Sequence, residues 1–105
     1  MVLPNNRLLS GGCDYSIKLW DLNSNNECIH TFLGHTKNIN MLKELKNDRF
    51  ISFSNGDTRL WDLKNMKLLE VYNEHTKIVS CVTLLMNNRI ASSSWDHTVK
   101  VWNFS

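Results

Sequence analysis

The stretch LLSGGCDYSIKLWDL, residues 8–22, sets a serine (Ser10), a glycine pair and an aspartate (Asp14) upstream of Trp20-Asp21. Serine and aspartate are two thirds of a hydrolase constellation, and they are equally the donors and acceptors from which a buried tryptophan is satisfied. The stretch returns twice. Residues 5–22, 47–63 and 87–104 read NNRLLSGGCDYSIKLWDL, NDRFISFSNGDTRLWDL and NNRIASSSWDHTVKVWNF. Trp20, Trp61 and Trp102 are spaced by 41 residues each time, and His35 and His75 by 40.

A period near 40 suits either a helical repeat or a unit of four strands, and the residues between the landmarks decide. Helical spacing of apolar residues is missing. Short runs rich in Ile, Val, Leu, Phe and Thr take its place: RLLS, SIKLWDL, CIHTF, RFISFS, TRLWDL, LLEVY, IVSCVTLL, RIASS and TVKVWNF. These read as strands. In SIKLWDL the residues Ile17, Leu19 and Asp21 share one face, and Lys18, Trp20 and Leu22 the other. Apolar groups on both faces are expected where sheets stack. Turn formers separate the runs: Asn5 and Asn6, Asn47 and Asp48, Asn55 and Gly56, Asn87 and Asn88. Each period accommodates four strands.

With its Trp-Asp ending and Gly-His start, the sequence resembles the WD-repeat β-propeller family. Trp20-Asp21 and Trp61-Asp62 match the ending, and Trp102-Asn103 departs by one residue. Gly34-His35 matches the start, while Glu74-His75 loses the glycine and keeps the histidine. The resemblance spans the whole chain. It implies an all-β fold of antiparallel four-stranded blades, here an incomplete arc of about three. The chain is read as a single propeller segment, with residues 1–22 a partial first blade, 27–63 a second repeat and 67–105 a third repeat lacking its last strand.

The resemblance also implies a role for the recurring residues. In such blades a loop His, a Ser on the second strand, an Asp in the following turn and the Trp of the third strand form a hydrogen-bond chain. Carried over, the third repeat supplies His75, Ser92, Asp96 and Trp102; the first supplies Ser10, Asp14 and Trp20, without a His. The second supplies His35, Ser52 and Trp61, with Asn55 or Asp57 as the fourth member. Because Ser52 and Trp61 are nine residues apart rather than ten, that tetrad is expected to be incomplete and its blade the least rigid. Such a chain lets indole, hydroxyl, imidazole and carboxylate all be buried without an orphan. A hydrolase is disfavoured: no G-x-S-x-G elbow occurs, each Ser falls in a strand, and a catalytic set is needed once rather than per repeat. No catalytic residue is assigned, and the chain is not expected to be an enzyme.

Cys28, His30 and His35 invite a metal reading. Alternation would put Cys28, His30 and Phe32 on one strand face, but no fourth ligand follows and His35 already has a tetrad role. No metal and no cofactor are expected. Cys13, Cys28 and Cys81 form neither a Cys-x-x-Cys pair nor an even set, and suit reduced thiols. The charge of +2 from 12 basic and 10 acidic residues is scattered, with no arm for nucleic acid. No signal peptide and no apolar run of membrane-spanning length is visible, which suggests an intracellular, cytoplasmic setting.

By the resemblance, recognition falls to loops at the top face of the propeller. The residue before the turn Asp gives Cys13 and Trp95; those after the loop His give Lys37, Asn38, Lys77 and Ile78. Trp95 stands outside the strand register of the other tryptophans and suits a partner anchor. The expected function is a non-catalytic scaffold binding a peptide or protein. The alternative is a regulatory or substrate-recognition segment of a larger enzyme, such as a ubiquitin-ligase substrate receptor. Met1-Val2-Leu3 aligns with Lys43-Glu44-Leu45 inside an innermost strand, and the chain stops after the third strand of a repeat. Three blades do not close, so further blades from a longer chain or from self-association are expected.

Overall fold

A computed structural model describes residues 1–11, 14–23, 25–55, 57–73, 75 and 77–103. Among them are eleven strands and no helix, hence no helix long and apolar enough to cross a membrane. The strands are β1 (Val2–Leu3), β2 (Arg7–Gly11), β3 (Ile17–Asp21), β4 (Glu27–Phe32), β5 (Ile39–Leu45), β6 (Arg49–Ser54), β7 (Thr58–Asp62), β8 (Lys67–Tyr72), β9 (Val79–Leu85), β10 (Arg89–Ser94) and β11 (Val99–Asn103). They form three antiparallel meanders, β1-β2-β3-β4, β5-β6-β7-β8 and β9-β10-β11. The described residues extend over 43 × 30 × 19 Å.

The turns explain the topology. Asn5–Asn6, Asn47–Asp48 and Asn87–Asn88 all have φ between 55° and 63°. Two successive residues in that region make the mirror-image turn whose twist matches a hairpin, and Asn and Asp tolerate it best among residues with a side chain. The first hairpin of every sheet is therefore written into two residues. Register follows: Leu8↔Trp20, Phe50↔Trp61 and Ile90↔Trp102 are equivalent pairs.

The sheets stack face to face through two apolar clusters. Between the first and second sheets lie Leu3, Leu9, Ile17, Leu19 and Phe32 against Phe50, Trp61 and Leu63. Between the second and third lie Leu45, Ile51, Phe53 and Leu60 against Val79, Val82, Ile90 and Trp102. Burying these side chains supplies the main stabilisation between sheets, at roughly 1.5–3 kcal/mol for each fully covered large one. The last residue of each outermost strand locks onto the next sheet's indole: Phe32 on Trp61 at 5.3 Å and Tyr72 on Trp102 at 5.0 Å. The first two sheets approach closely at Gly11, where a Cβ would fall 2.7 Å from Ile39 Cγ2.

The second sheet, expected to be the least rigid, is the one covered on both faces. Phe50, Ile51, Ser52, Phe53 and Ser54 of β6 are all buried. The reason is position: it is the middle layer, whereas the outward faces of the other two sheets meet solvent. On the third sheet Val99 and Val101 are 74% and 58% exposed.

Candidate functional site

In the second and third sheets the Ser-Trp pair sits on the face that looks back toward the preceding sheet, and the loop histidine comes from the strand connection before it. In the third sheet His75 Nε2 lies 2.7 Å from Ser92 Oγ, Trp102 Nε1 donates to the same oxygen at 3.0 Å, and His75 Nδ1 lies 3.0 Å from Asp96 Oδ2. A carboxylate only accepts, so Nδ1 carries the proton, Nε2 accepts from the serine, and the serine accepts from the indole. Every group of the chain is used in one direction. Asp96 Oδ1 in turn accepts from Thr98 N and from the Thr98 hydroxyl.

The second sheet completes the same chain, contrary to the expectation of an incomplete tetrad. Trp61 Nε1 donates to Ser52 Oγ at 2.8 Å, His35 Nε2 lies 2.5 Å from that oxygen, and His35 Nδ1 lies 3.1 Å from Asp57 Oδ2. The missing residue comes out of the turn, not out of the strands: Ser52 pairs with Arg59 as Ser92 pairs with Lys100. Asp57 thereby stands directly before β7 and reaches the imidazole from there. The shift has two consequences. Arg59 Nε donates to the same Oδ2 at 3.1 Å, and Asp57 Oδ1 is the buried side-chain oxygen without a partner among the described residues. Gly34, at φ 149°, leaves room for this arginine, whose Nη1 would lie 2.5 Å from a Cβ there.

In the first sheet Trp20 Nε1 donates to Ser10 Oγ at 2.9 Å. Asp14 is taken up locally, Oδ1 accepting from Ser16 N and Oγ at 3.2 and 2.9 Å, and these bonds hold its carboxyl below the usual range.

Asp, His and Ser in this order copy a hydrolase triad, yet the nucleophile is walled in. Ser52 is 0% and Ser92 1% exposed, each lying under a tryptophan, so no substrate carbonyl reaches either Oγ. What the arrangement does chemically is brace one sheet against the next. Burial pushes the His35 imidazole below its ordinary value of 6.5, Asp57 acting against this and Arg59 with it. The folded form therefore binds fewer protons than the unfolded one. His35's contribution is complete above pH about 6.5 and declines as pH falls toward its lowered value. Urea midpoints are expected to drop between pH 7.5 and 5.5, and the drop is expected to shrink in His35→Gln; an equal drop in the variant would count against it.

The expectation that Cys28 and His30 share one strand face is corrected by a bulge. Leu19 pairs with His30 and Trp20 with Cys28, with an irregularity between them, so Cys28 and His30 lie on opposite faces. Among the described residues no group of three or more His, Cys, Asp or Glu is placed to hold a metal ion. Cys28 and Cys81 are exposed free thiols.

At the loop end of the strands, Lys37, Asn38 and Lys77 are exposed, Ile78 is half-buried and Trp95 is 63% exposed; Cys13 lies outside the described residues. Backbone bonds gather part of this set. Trp95 N donates to Ile78 O at 3.0 Å, Ser94 Oγ donates to the same carbonyl at 2.9 Å, and Ser54 Oγ donates to Asn38 O at 2.8 Å. A depression of about 270 Å3 is lined by Tyr15, Lys37, Asn38, Asn40, Asn55 and Ile78, which reach it from all three sheets. Tyr15, Asn40 and Asn55 had no place among the expected recognition residues. Tyr15 follows Asp14 as His97 follows Asp96, both at positive φ (67° and 70°), and that equivalence was the available signal.

The family description "WD domain, G-beta repeat" matches residues 2–21, 26–62 and 66–103. Stacked antiparallel meanders of four, four and three strands with an indole-serine brace define a WD-type propeller segment, and the chain belongs to the WD-repeat family. It is 33% identical over 103 residues to "U3 small nucleolar RNA-associated protein 15 homolog" of Xenopus tropicalis, covering 92% of this chain and 20% of that protein. It is 31% identical over 101 residues to "E3 ubiquitin-protein ligase COP1" of Arabidopsis thaliana, covering 94% of this chain and 15% of that one. The crystal structure of the WD40 β-propeller domain of Doa1 superposes with a TM-score of 0.81 at 36% identity, over 94% of this chain and 33% of that one. The chain thus spans a fifth or less of the length of these two curated relatives.

Proposed function

We propose that this chain is a non-catalytic protein-interaction scaffold that holds a peptide or protein partner on the loop end of its strands. The observation that carries the reading is the convergence of Tyr15, Lys37, Asn38, Asn55 and Ile78 from three sheets into one depression, with Trp95 exposed beside it. WD-repeat proteins in general mediate protein interactions, and the buried serines leave the braces no chemistry to perform. A large aromatic that is 63% exposed and tied to Ile78 by its backbone is a ready anchor. The test is direct. Peptides selected on the wild-type chain are expected to bind Trp95→Ala at least about tenfold more weakly, with an unchanged circular dichroism spectrum. Equal affinity would move recognition elsewhere.

The alternative, a substrate-recognition segment of a larger enzyme, is favoured by the similarity to a ubiquitin-protein ligase. The name of the nucleolar RNA-associated relative favours a nuclear over a cytoplasmic setting. The outward face of the third sheet supports one further element of the reading. Its Val99 and Val101 correspond to Thr58 and Leu60, which the third sheet covers in the second. We place another blade there, from a longer chain or a second copy. The 105-residue chain is therefore expected to self-associate, and Val99→Lys with Val101→Lys to reverse it; light scattering that gives a single chain at high concentration would sink this.

A further inference from the structure

The first and third sheets each leave one face open, and the strand register identifies what each open face lacks. In the third sheet the pairs Ala91↔Val101 and Ser93↔Val99 stand where the second sheet has Ile51↔Leu60 and Phe53↔Thr58. Those four residues of the second sheet are buried, and Ile51, Phe53 and Leu60 belong to the cluster that packs on Ile90 and Trp102 of the third. Leu85, opposite Arg89, likewise stands where the second sheet has the buried Leu45 opposite Arg49. Yet Leu85, Val99 and Val101 are exposed. Together they make the forward half of an inter-sheet contact, with nothing in front of it among the described residues.

The first sheet presents the other half. Its pair Leu8↔Trp20 stands where the second and third sheets have Phe50↔Trp61 and Ile90↔Trp102, which are buried against the sheet behind them. Leu22 follows Trp20 by two residues, as the buried Leu63 follows Trp61. Leu8 and Trp20 are only half-buried, and Leu22 is exposed. Leu9 and Leu19, on the other face of the same two strands, are fully covered by the second sheet. Alternation therefore points Leu8, Trp20 and Leu22 away from the rest of the chain. The two open faces match each other as the built interfaces do, aliphatic side chains of one sheet against an aliphatic-indole pair of the next. They lie at opposite ends of the stack, so a second copy can join them. Such a head-to-tail contact either closes into a ring or runs on as a filament. Propellers close at four to eight blades, and with three sheets per chain among the described residues, six is the one multiple of three in that range.

We propose that the 105-residue chain pairs with a second copy of itself as a closed ring of six sheets. The third sheet of each copy covers the first sheet of the other, and Val101 seats against the partner's Leu8 and Trp20 as Leu60 seats against Ile90 and Trp102. The inference rests on the reading that the third sheet's outward face is covered, and it names what covers it. Both joins form in one association step, so the second adds its contacts without a further loss of translational freedom. Apolar packing carries each join: Ser10 Oγ meets Trp20 Nε1 alone among the described residues, whereas Ser52 and Ser92 also bond a histidine.

The test is light scattering on the 105-residue chain beside Val101→Glu and Leu8→Lys, each a change on a face that is open in the single chain. The wild type is expected at twice the chain mass and no higher as concentration rises. Each variant is expected at the mass of one chain, its joins weakened at least about tenfold. An equimolar mixture of the two variants is expected to return to twice the chain mass, because a mixed ring has one wild-type join and one that sets the introduced glutamate against the introduced lysine. Nuclear Overhauser effects between a 13C-labelled and an unlabelled wild-type copy, expected from the Val99 and Val101 methyls to the Trp20 ring, cover the case in which a variant fails to fold. A single chain at millimolar concentration would overturn both this pairing and the covered-face reading. Masses that grow beyond two chains, loss of association in Val101→Glu but not in Leu8→Lys, or intermolecular effects from Val101 to Val101 would overturn the ring alone, the third sheet then being covered in another way.

Discussion

Replacing Phe50 by alanine is expected to remove about 3–5 kcal/mol of stability, a large part of the roughly 5–15 kcal/mol by which a domain is held folded. Phe50 is 0% exposed and fills the layer between the first and second sheets. Its ring lies 5.2 Å from Phe32, edge to face, and is stacked at 6.1 Å from Trp61. Among the described residues no strand ladder runs between the first and second sheets, so a void there cannot be repaired by shifting a hydrogen-bonded ladder. The first sheet, with its two-residue inner strand, has little else to hold it. Urea unfolding followed by tryptophan fluorescence measures the loss, and Phe50→Leu, which keeps most of the volume, is expected to lose less than half as much. A loss below about 1 kcal/mol for Phe50→Ala would mean that the sheets are not coupled through this layer.

Ser52→Ala is expected to be nearly as damaging although it deletes a single oxygen. That oxygen accepts from Trp61 Nε1 and bonds His35 Nε2, and all three side chains are buried. Removing it strands an indole N–H and an imidazole nitrogen away from water, at about 1–3 kcal/mol for each unsatisfied group. Ser10→Ala provides the comparison. Ser10 serves only Trp20 among the described residues, both are half-buried, and water can take over, so about 1 kcal/mol or less is expected. Equal losses at the two serines would show that the histidine contributes nothing to the brace.

Much of this was legible in the chain before any coordinates. Strand positions follow from period-two alternation, and the hairpins from paired Asn and Asp residues that accept positive φ; both are local properties, readable over a few residues. The constant spacing of Trp20, Trp61 and Trp102 made the three units comparable, which is why serine, histidine and tryptophan could be picked out together. Spacing misled at Asp57. A count of nine rather than ten residues suggested a missing member, whereas the strands keep their pairing and the deficit is absorbed in the turn. The same blindness to a one-residue irregularity put Cys28 and His30 on one face, which a bulge beside Trp20 prevents.

By itself the sequence determined the strands, their turns and the class of fold, because alternation, turn chemistry and repetition each act over distances the chain encodes directly. Only the tertiary structure decided that Asp57 closes the second brace, that the second sheet is the covered middle layer, and that Tyr15 meets Lys37, Asn55 and Ile78. Those outcomes depend on where loops from different repeats end up when sheets stack. Stacking is set by the packing of faces, and no single repeat contains the information for its neighbour's face.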